Sequence, residues 1–412
     1  MSLLVQKFGG TSVGTVERIK NAADRIVRSV EEGNQVVVTV SAMGKTTDEL
    51  AALAAEMHTL PSRRETDMLL SAGEQISMSL LAMALDAKGH SAVSLTGWQA
   101  GIQTEEVHGN ARIVEIHTER IKDLLEDKKI VIVAGFQGIT EKNEVTTLGR
   151  GGSDTTAVAL AASLKAEKCE IYTDVDGVYT CDPRYVCEAK KIDAISYDEM
   201  LELATLGATV LHPRAVEFAK NHRVKLEVRS SLSDARGTKI EEEIGMETQM
   251  VVRGLAFETN VTKVTISNLP NRMDTLSNVF STLASSGINV DIIIQNVNDK
   301  TAANLSFSVD RSDVDETLDI LLQHQNRLQY EEVSYEKDLA KVSIVGSGMI
   351  SNPGVAARMF SALTERNVLI KMVSTSEIKV STVISQDQLE TALSALHETF
   401  DLHESQKVPQ PS

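Results

Sequence analysis

Short apolar runs rich in β-branched residues recur along the first half of the chain. They are LLVQKF at 3–8, VVVTVSA at 36–42, AVSLTG at 92–97, IVIVAG at 130–135, EIYTDV at 170–175 and VKLEV at 224–228. Longer segments between them, such as VERIKNAADRIVRSVEE, place apolar residues at helical spacing. Strands that alternate with helices predict an α/β fold with a mostly parallel sheet sandwiched by helices. Such folds bind ligands at the carboxyl ends of their strands.

The second half of the chain repeats its own pattern. Residues 264–294 align with residues 342–373, so that Phe280 matches Phe360 and Leu283 matches Leu363. Each copy predicts a βαββαβ unit of roughly 70 residues, a size compatible with a small domain. A polar, charge-rich stretch at 231–249 precedes the repeat and is typical of a linker. We therefore expect domains at 1–245, 246–335 and 336–412.

The repeated units resemble ACT domains, which are small ferredoxin-like regulatory modules that bind amino acids between paired copies. The segment SSGINVDIIIQN carries most of this resemblance. An alternative is that the two units only hold a dimer together.

Composition narrows the class of protein. The chain has 412 residues, more than one hydrophobic core usually serves, and a formal net charge of −17. That negative field opposes nucleic acid and anionic membrane surfaces, although a local pocket can still bind a small anion. Three cysteines are too few and too irregular for a disulfide framework or a zinc site. Without a signal-like N-terminus or a membrane-length apolar run, we expect a cytoplasmic protein.

Two glycine pairs follow predicted strands and precede helical segments. In VQKFGGTSVG, Gly9 and Gly10 lack side chains that would keep an anion from backbone N–H groups, and Lys7 directs an ammonium group to the same place. An ordinary turn with a surface lysine would also explain this stretch. The segment LGRGGSDTTAVALAASL has a second glycine pair before a helical segment, with Ser153 and Asp154 where a helix N-cap is expected. Two such turns would direct two helix N-termini at one phosphate ligand.

Taken in order, seven motifs resemble the signature series of the aspartate kinase family in the amino-acid kinase superfamily. They are KFGGTSV, VVVTVSAMGKTTDEL, SAGEQIS, VAGFQG, LGRGGSDTTA, YTDVDGVYTCDPR and VLHP. The resemblance runs from residue 5 to about residue 230, and the tandem ACT-like tail extends it to nearly the whole chain. It implies ATP-dependent phosphorylation of the side-chain carboxylate of L-aspartate, the first step of lysine, threonine, methionine and diaminopimelate biosynthesis.

Aspartate carries two carboxylates and one ammonium group, so its site needs a cation and an anion. Arg150 has the planar fork that suits a carboxylate, and Glu74 lies in an otherwise apolar helix where an unpaired charge is costly. A structural salt bridge or a surface position would also explain Glu74. The resemblance implies a substrate-binding set of Thr47, Glu74, Arg150, Gly151, Gly152 and Ser153.

Phosphoryl transfer needs positioning and charge stabilisation, and an aspartate carboxylate is already ionised at neutral pH. We therefore expect Lys7 to stabilise the transferred group, and Asp154 to orient Lys7 rather than to remove a proton. GKTT at 44–47 resembles the end of a P-loop, but Thr39 occupies the place of the required first glycine, so Lys45 is interpreted as a loop lysine.

The turn-rich segment at 172–184 follows a strand, as a nucleotide-binding loop does, although a surface turn is the alternative. The resemblance implies ATP contacts from Lys7, Phe8, Gly9, Gly10, Ser41, Thr173, Asp174, Tyr179, Asp182, Arg184, Thr209 and Val210. Some relatives have lysine in place of Thr209. ATP transfer also implies Mg²⁺, which we expect to be held through the phosphates because no carboxylate cluster has ligand spacing. VSIVGSGMIS imitates a dinucleotide-binding motif, but Ser351 replaces its last glycine.

The ACT resemblance implies feedback inhibition by an end-product amino acid, lysine or threonine. The predicted effector site comprises Asp274, Thr275, Asn289, Asp291 and Gln295. We expect a homo-oligomer, or a hetero-oligomer with a regulatory subunit translated from an internal start at Met246 or Met250, as some relatives make.

Two rival functions fit parts of the sequence. One is an amino-acid kinase acting on glutamate, carbamate or a nucleoside monophosphate, which KFGGTS, Glu74 and Arg150 disfavour. The other is an amino-acid sensor without catalysis, which Lys7 and the intact GRGGSD segment disfavour.

Overall fold

The computed structural model describes residues 2–207, 210–242, 250–297 and 301–403. Thr209 and Met246, both named from the sequence, lie outside the described residues. The chain up to Ile240 builds one helix-covered sheet with a smaller sheet at its side, and the chain from Gly254 onward builds a third sheet.

The first part contains a mostly parallel sheet of eight strands. Its strands in spatial order are β10 (Ala194–Ile195), β12 (Thr238–Ile240), β11 (Leu226–Ser230), β9 (Lys168–Thr173), β1 (Leu3–Phe8), β2 (Gln35–Val40), β6 (Ile130–Ala134) and β3 (Ala92–Leu95). Neighbouring strands are parallel except β11 and β12. The six strands predicted from the apolar runs are β1, β2, β3, β6, β9 and β11, so the α/β prediction is confirmed.

Helices cover both faces of this sheet. They are α1 (Val16–Glu31), α2 (Thr46–Met57), α3 (Arg63–Leu70), α4 (Ala72–Asp86), α5 (Glu119–Glu126), α6 (Gly152–Leu164), α7 (Tyr197–Thr205) and α8 (Pro213–His222). Val37 of β2 packs into one core, while Val36 and Val38 pack into the other. Successive side chains of a strand point to opposite faces, so a strand buried on both faces is apolar throughout.

A second, four-stranded sheet of short strands lies beside the first and was not predicted. Its strands in spatial order are β5 (Ile113–Ile116), β4 (Ile102–Thr104), β7 (Gln137–Ile139) and β8 (Val145–Thr147). Runs of three or four residues are too short to show a period, so these strands could not be predicted from the sequence.

The helical stretch Arg63–Asp86, which contains α3 and α4, is long and apolar enough by composition to cross a membrane. Helices in the core of a globular domain can have the same composition. Here α4 packs against α1, β3 and β6, and it buries the polar side chains of Glu74 and Ser77. Its packing is that of a core helix.

The second part is an antiparallel sheet with helices. Its strands in spatial order are β14 (Ile293–Val297), β15 (Ala302–Asp310), β13 (Gly254–Pro270), β16 (Glu332–Val345), β18 (Lys379–Ser385) and β17 (Met372–Thr375). Its helices are α9 (Thr275–Ser285), α10 (Val314–Gln323), α11 (Gln325–Leu328), α12 (Val355–Glu365) and α13 (Leu389–Thr399). Two ferredoxin-like units share the long strands β13 and β16, which confirms the predicted fold class.

The structure differs from the expected boundary between these units. Residues 254–258 of β13 pair with 341–345 of β16, and Val252 and Leu255 lie in the core formed by α12 and α13. The second unit therefore begins before the first unit, which is inserted into it. The repeat in the sequence shows which residues of the two units correspond. It does not show that the start of β13, which precedes the first unit, pairs with the sheet of the second unit.

Candidate active site

A cavity of about 320 Å³ lies at the carboxyl edge of the eight-stranded sheet. The side chains and backbone around it come from the ends of β1 and β2, from α4 and from the turn that precedes α6. They are Lys7, Gly10, Ser41, Ala42, Gly44, Thr47, Glu74, Phe136, Gly149, Arg150, Gly151, Gly152, Ser153 and Asp154. Residues 7 and 150, far apart in sequence, thus line the same cavity.

Lys7 and Asp154 form an ion pair in this cavity. Lys7 Nζ lies 2.6 Å from Asp154 Oδ1, and both side chains are nearly buried. A carboxylate at this distance fixes the direction of the ammonium group, which still has two further N–H donors for a ligand.

Glu74 is a buried carboxylate with one oxygen left unbound. The Ala42 N–H donates to Glu74 Oε1 at 3.0 Å, whereas Oε2 has no hydrogen-bond partner among the described residues. Burial raises the pKa of Glu74 to about 7, although the hydrogen bond from Ala42 works in the opposite direction. A cation that entered the cavity would give Oε2 a partner and favour the ionised form.

Arg150 stands at the mouth of the cavity on a strained turn. It is exposed and forms no ion pair with any residue in the described ranges. Gly149 and Gly151 on either side have φ of +76° and +72°, a region that favours glycine. A Cβ atom on Gly151 would lie 2.1 Å from the His212 ring, so this position excludes any side chain.

The N-terminus of α6 faces the cavity, but its N-cap differs from the prediction. The helix begins at Gly152 with Gly151 as N-cap, and no side chain caps it. Ser153 and Asp154, expected near the N-cap, instead belong to the first turn. The Gly152 N–H donates to the Gly149 carbonyl at 3.0 Å, so the N–H groups of Ser153 and Asp154 are the ones in that turn that can bind an anion, which the helix dipole also favours.

The first glycine pair also differs from its prediction. A 3₁₀ helix spans Gly10–Val13, and α1 begins only after its own N-cap, Thr15. Hence, of the two glycine turns, only the second leads directly into an α-helix at the cavity. The Gly9 N–H donates to the Tyr172 carbonyl at 3.1 Å. The Phe8 side chain is fully buried and stacks on the Tyr172 ring, so it packs in the core beneath the turn.

The loop after β2 closes another side of the cavity. The Gly44 N–H donates to the Gly10 carbonyl at 3.0 Å, which ties this loop to the first glycine pair. Ser41 and Thr47 line the cavity as expected, and Lys45 is an exposed residue at the start of α2.

A larger cavity of about 800 Å³ lies beside the predicted nucleotide loop. Five predicted ATP contacts line it, namely Asp174, Tyr179, Asp182, Arg184 and Val210. Thr173 ends β9 just before them, and its hydroxyl donates to Asp174. The opposite wall comes from residues 255–259 at the start of β13, which belong to the second part of the chain.

The charged groups of this loop are paired with each other. Arg184 Nη2 lies 2.6 Å from Asp182 Oδ2, and the neighbouring guanidinium lowers the pKa of Asp182. The Tyr179 hydroxyl donates to Asp176 at 2.8 Å. A bound nucleotide would have to compete with these contacts or extend them.

Comparison with known proteins relates nearly the whole chain to one family. A model of the amino acid kinase family matches residues 2–230, and an ACT domain model matches residues 342–400. Aspartokinase 2 of Bacillus subtilis is 62% identical over 403 residues, which cover 98% of each chain. The chain belongs to the aspartokinases.

Solved structures of aspartokinases have the same fold. The structure of E. coli aspartokinase III in complex with aspartate and ADP matches with a TM-score of 0.80 at 28% identity, over 96% of this chain and 99% of that chain. The same enzyme in complex with lysine and aspartate matches with a TM-score of 0.77 at 27% identity, over 97% of this chain and 99% of that chain.

Two residues at this aspartokinase site were missed from the sequence. Phe136 lines the cavity with φ of +69°, which is uncommon for a bulky residue and marks a constrained position. His212 caps α8 and lies against Gly151, and burial lowers its pKa. Both stand inside quoted motifs, VAGFQG and VLHP, but neither has a spacing that indicates a role.

The predicted effector residues lie at two edges of the first ACT-like unit. The strands β13 and β14 are both antiparallel to β15, so they end at the same edge, at Pro270 and Val297. Asp274 follows the end of β13, whereas Asn289 and Asp291 precede the start of β14 at the opposite edge. The five residues thus divide between two edges of the first ACT-like unit, and the effector site that they were expected to form stays a prediction.

Other contacts occupy two of these residues. The Thr275 hydroxyl donates to the Pro270 carbonyl at 2.6 Å, and Asp291 pairs with the buried Lys341 of β16. Burial lowers the pKa of Lys341, but its hydrogen bonds to Asp291 and Glu258 outweigh burial and raise it. Gln295 lies on β14 opposite Leu305.

Proposed function

We propose that the protein transfers the γ-phosphoryl group of ATP to the side-chain carboxylate of L-aspartate, forming 4-phospho-L-aspartate and ADP. The observation that supports this proposal is one cavity lined by the buried Glu74 carboxyl group, by the Arg150 guanidinium, which forms no ion pair with the described residues, and by the oriented ammonium group of Lys7. Free aspartate has the matching set of charges.

Recognition of aspartate would divide between two walls of the cavity. The substrate ammonium group would bind Glu74 Oε2, which supplies a hydrogen-bond acceptor that is otherwise unbound. The Arg150 guanidinium would hold a carboxylate with two parallel hydrogen bonds. Thr47 and the Gly151–Ser153 backbone complete the cavity wall on the acceptor side.

The chemical step would need no general base. A side-chain carboxylate oxygen of aspartate attacks the γ-phosphorus, the bond from phosphorus to the bridging oxygen breaks, and ADP leaves with that electron pair. Lys7 would stabilise the negative charge on the transferred group, and Asp154 would keep the ammonium group directed at it. The N–H groups of the first turn of α6 would add to this stabilisation.

Nucleotide binding would use the larger cavity, between the 174–184 loop and the start of β13. Within the described ranges, no group of three or more His, Cys, Asp or Glu side chains is placed to hold a metal ion. We therefore propose that Mg²⁺ arrives on the nucleotide and is held through its phosphates and water, where it neutralises charge.

We propose that the second part of the chain regulates the kinase. Lysine is bound by the E. coli relative, and lysine or threonine is the effector expected here. Because the five predicted residues divide between two edges of one unit, an effector site built from them requires two units from two copies of the chain. A homo-oligomer fits this arrangement, and Met250 also fits the start of a separate regulatory subunit. We place the reaction in the cytoplasm.

The deciding experiment is ADP release by the purified protein with ATP, Mg²⁺ and a panel of acceptors. Aspartate should give turnover and an acyl phosphate that hydroxylamine traps as a hydroxamate, whereas glutamate, carbamate and uridine monophosphate should not. Turnover on another acceptor alone would assign the protein to a different amino-acid kinase. Binding of lysine or threonine without any turnover would indicate a sensor.

A further inference from the structure

The two charges proposed to bind aspartate stand on different structural elements. Glu74 belongs to α4, which packs on the eight-stranded sheet, whereas Arg150 follows β8 of the four-stranded side sheet. Arg150 is also joined to the eight-stranded sheet through α6, which begins two residues later and packs on β1, β2 and β9. A contact between α3 and the side sheet links the two charges more directly.

Asp67 of α3 provides this contact. Its side chain is 1% exposed, and its carboxylate accepts three kinds of hydrogen bond. The Thr147 hydroxyl donates to Oδ1 at 2.6 Å, the Gly109 N–H lies 3.0 Å from Oδ2, and His108 Nδ1 lies 2.9 Å from Oδ2. A buried carboxylate so fully bonded is held in one position.

Each end of this connection leads directly to a substrate-binding charge. Asp67 precedes Glu74 by two helical turns on the nearly continuous stretch Arg63–Asp86, so both side chains lie on the same side of it. Thr147 is three residues before Arg150. The 109–110 loop held by Asp67 also backs Gly149, where a Cβ atom would lie 2.7 Å from Asn110 Oδ1.

We propose that Asp67 is a positioning residue that holds the Glu74 carboxylate and the Arg150 guanidinium in place, so that an acceptor bound by both reaches the γ-phosphate only with the side-chain length of aspartate. This inference rests on the proposed function. Glutamate differs from aspartate by one methylene, and a fixed pocket discriminates such a difference by roughly 10- to 200-fold. The ion pair of Lys7 and Asp154 does not include Asp67, so loosening Asp67 leaves the phosphoryl-transfer step intact.

Two threonines on β8 give a matched test. Thr147→Val removes the hydroxyl that binds Asp67, while Thr146→Val removes an equally buried hydroxyl that lies 2.6 Å from Thr104 within the side sheet. We expect Thr147→Val and Asp67→Asn to raise KM for aspartate by at least about tenfold and to reduce the preference for aspartate over glutamate by a similar factor. The kcat and the KM for ATP should stay within about twofold. Thr147→Ser, which restores the hydroxyl, should behave as the wild type.

The control Thr146→Val should lower the melting temperature without changing KM. The inference is overturned if Thr147→Val matches Thr146→Val in KM and in acceptor preference, or if kcat and both KM values change together. If Asp67→Asn does not fold, the comparison of Thr147→Val with Thr146→Val still tests whether the hydrogen bond to Asp67 affects KM for aspartate. A wild type without aspartate-dependent ADP release would instead overturn the proposed function.

Discussion

At the scale of single residues, the site combines a close ion pair with a buried carboxyl group, one oxygen of which has no hydrogen-bond partner among the described residues. Lys7 and Asp154 neutralise each other at 2.6 Å, whereas Glu74 is buried with one oxygen unbound. The motif series predicts that Lys7, Asp154 and Glu74 belong to the site, but it does not predict which of them are paired in the folded chain. The pairing depends on what the folded chain places within hydrogen-bonding distance.

Lys7→Ala should reduce kcat by at least about a hundredfold while changing the affinity for ATP much less, because its ammonium group is needed most in the transition state. Arg150→Ala should mainly raise KM for aspartate. Steady-state kinetics with both substrates, together with nucleotide binding by calorimetry, separates the two effects. Equal and mild losses in both variants would contradict the assigned roles.

Glu74→Gln should make the free enzyme more stable at pH 8. The pKa of Glu74 is about 7 in the folded protein against an ordinary value of 4.5, so the folded state binds the proton more tightly and its stability falls as pH rises between these values. The full difference corresponds to about 3 kcal/mol. The variant should therefore show the higher melting temperature above pH 7, and this advantage should disappear near pH 4.5.

The same variant should lose affinity for aspartate, so aspartate should raise the melting temperature of the wild type but not of Glu74→Gln. In the wild type, kcat/KM for aspartate should rise with pH through about 7 as Glu74 ionises. A pH-independent difference in melting temperature between the two proteins would show that Glu74 is ionised throughout.

At the scale of elements, a turn in the left-handed region places Arg150 and begins α6. Gly151→Ala combines an unfavourable φ with a collision at His212, so it should abolish most activity and cost at least about 1–3 kcal/mol. Gly89 has φ of +81° and nothing within 4 Å of its Cβ position. Gly89→Ala is thus a control for the backbone effect alone, measurable by denaturant unfolding and ADP release.

At the scale of the whole molecule, the nucleotide loop is anchored in the regulatory part. The Leu255 N–H donates to the Thr180 carbonyl at 2.7 Å, and Cys181 lies in the same core as residues of α12 and α13. Tyr185 packs edge-to-face on Phe257 with ring centroids 4.6 Å apart. A shift of the regulatory part would therefore move one wall of the larger cavity.

Phe257→Ala should raise KM for ATP several-fold and leave KM for aspartate unchanged, since it removes the ring that supports the nucleotide loop. Phe280 makes a similar edge-to-face contact with Phe307 inside the first ACT-like unit, away from that loop. Phe280→Ala should destabilise the protein by a comparable amount, on the order of 2–4 kcal/mol, without changing KM for ATP. Equal kinetics in the two variants would argue against coupling through Phe257.

The sequence by itself determined the strands of the parallel sheet and the duplicated units, and its motif series predicted that Lys7, Glu74 and Arg150 share one site. The strands and the helices of the repeat follow from local properties, because side-chain period and glycine placement depend on neighbouring residues. Only the tertiary structure showed the side sheet, the insertion of one regulatory unit into the other and the link from Asp67 to Thr147. The strands of the side sheet are too short to show a period. The insertion and the link from Asp67 to Thr147 join residues distant in sequence, and such pairings are fixed by packing and hydrogen bonding in the folded chain rather than by any local pattern.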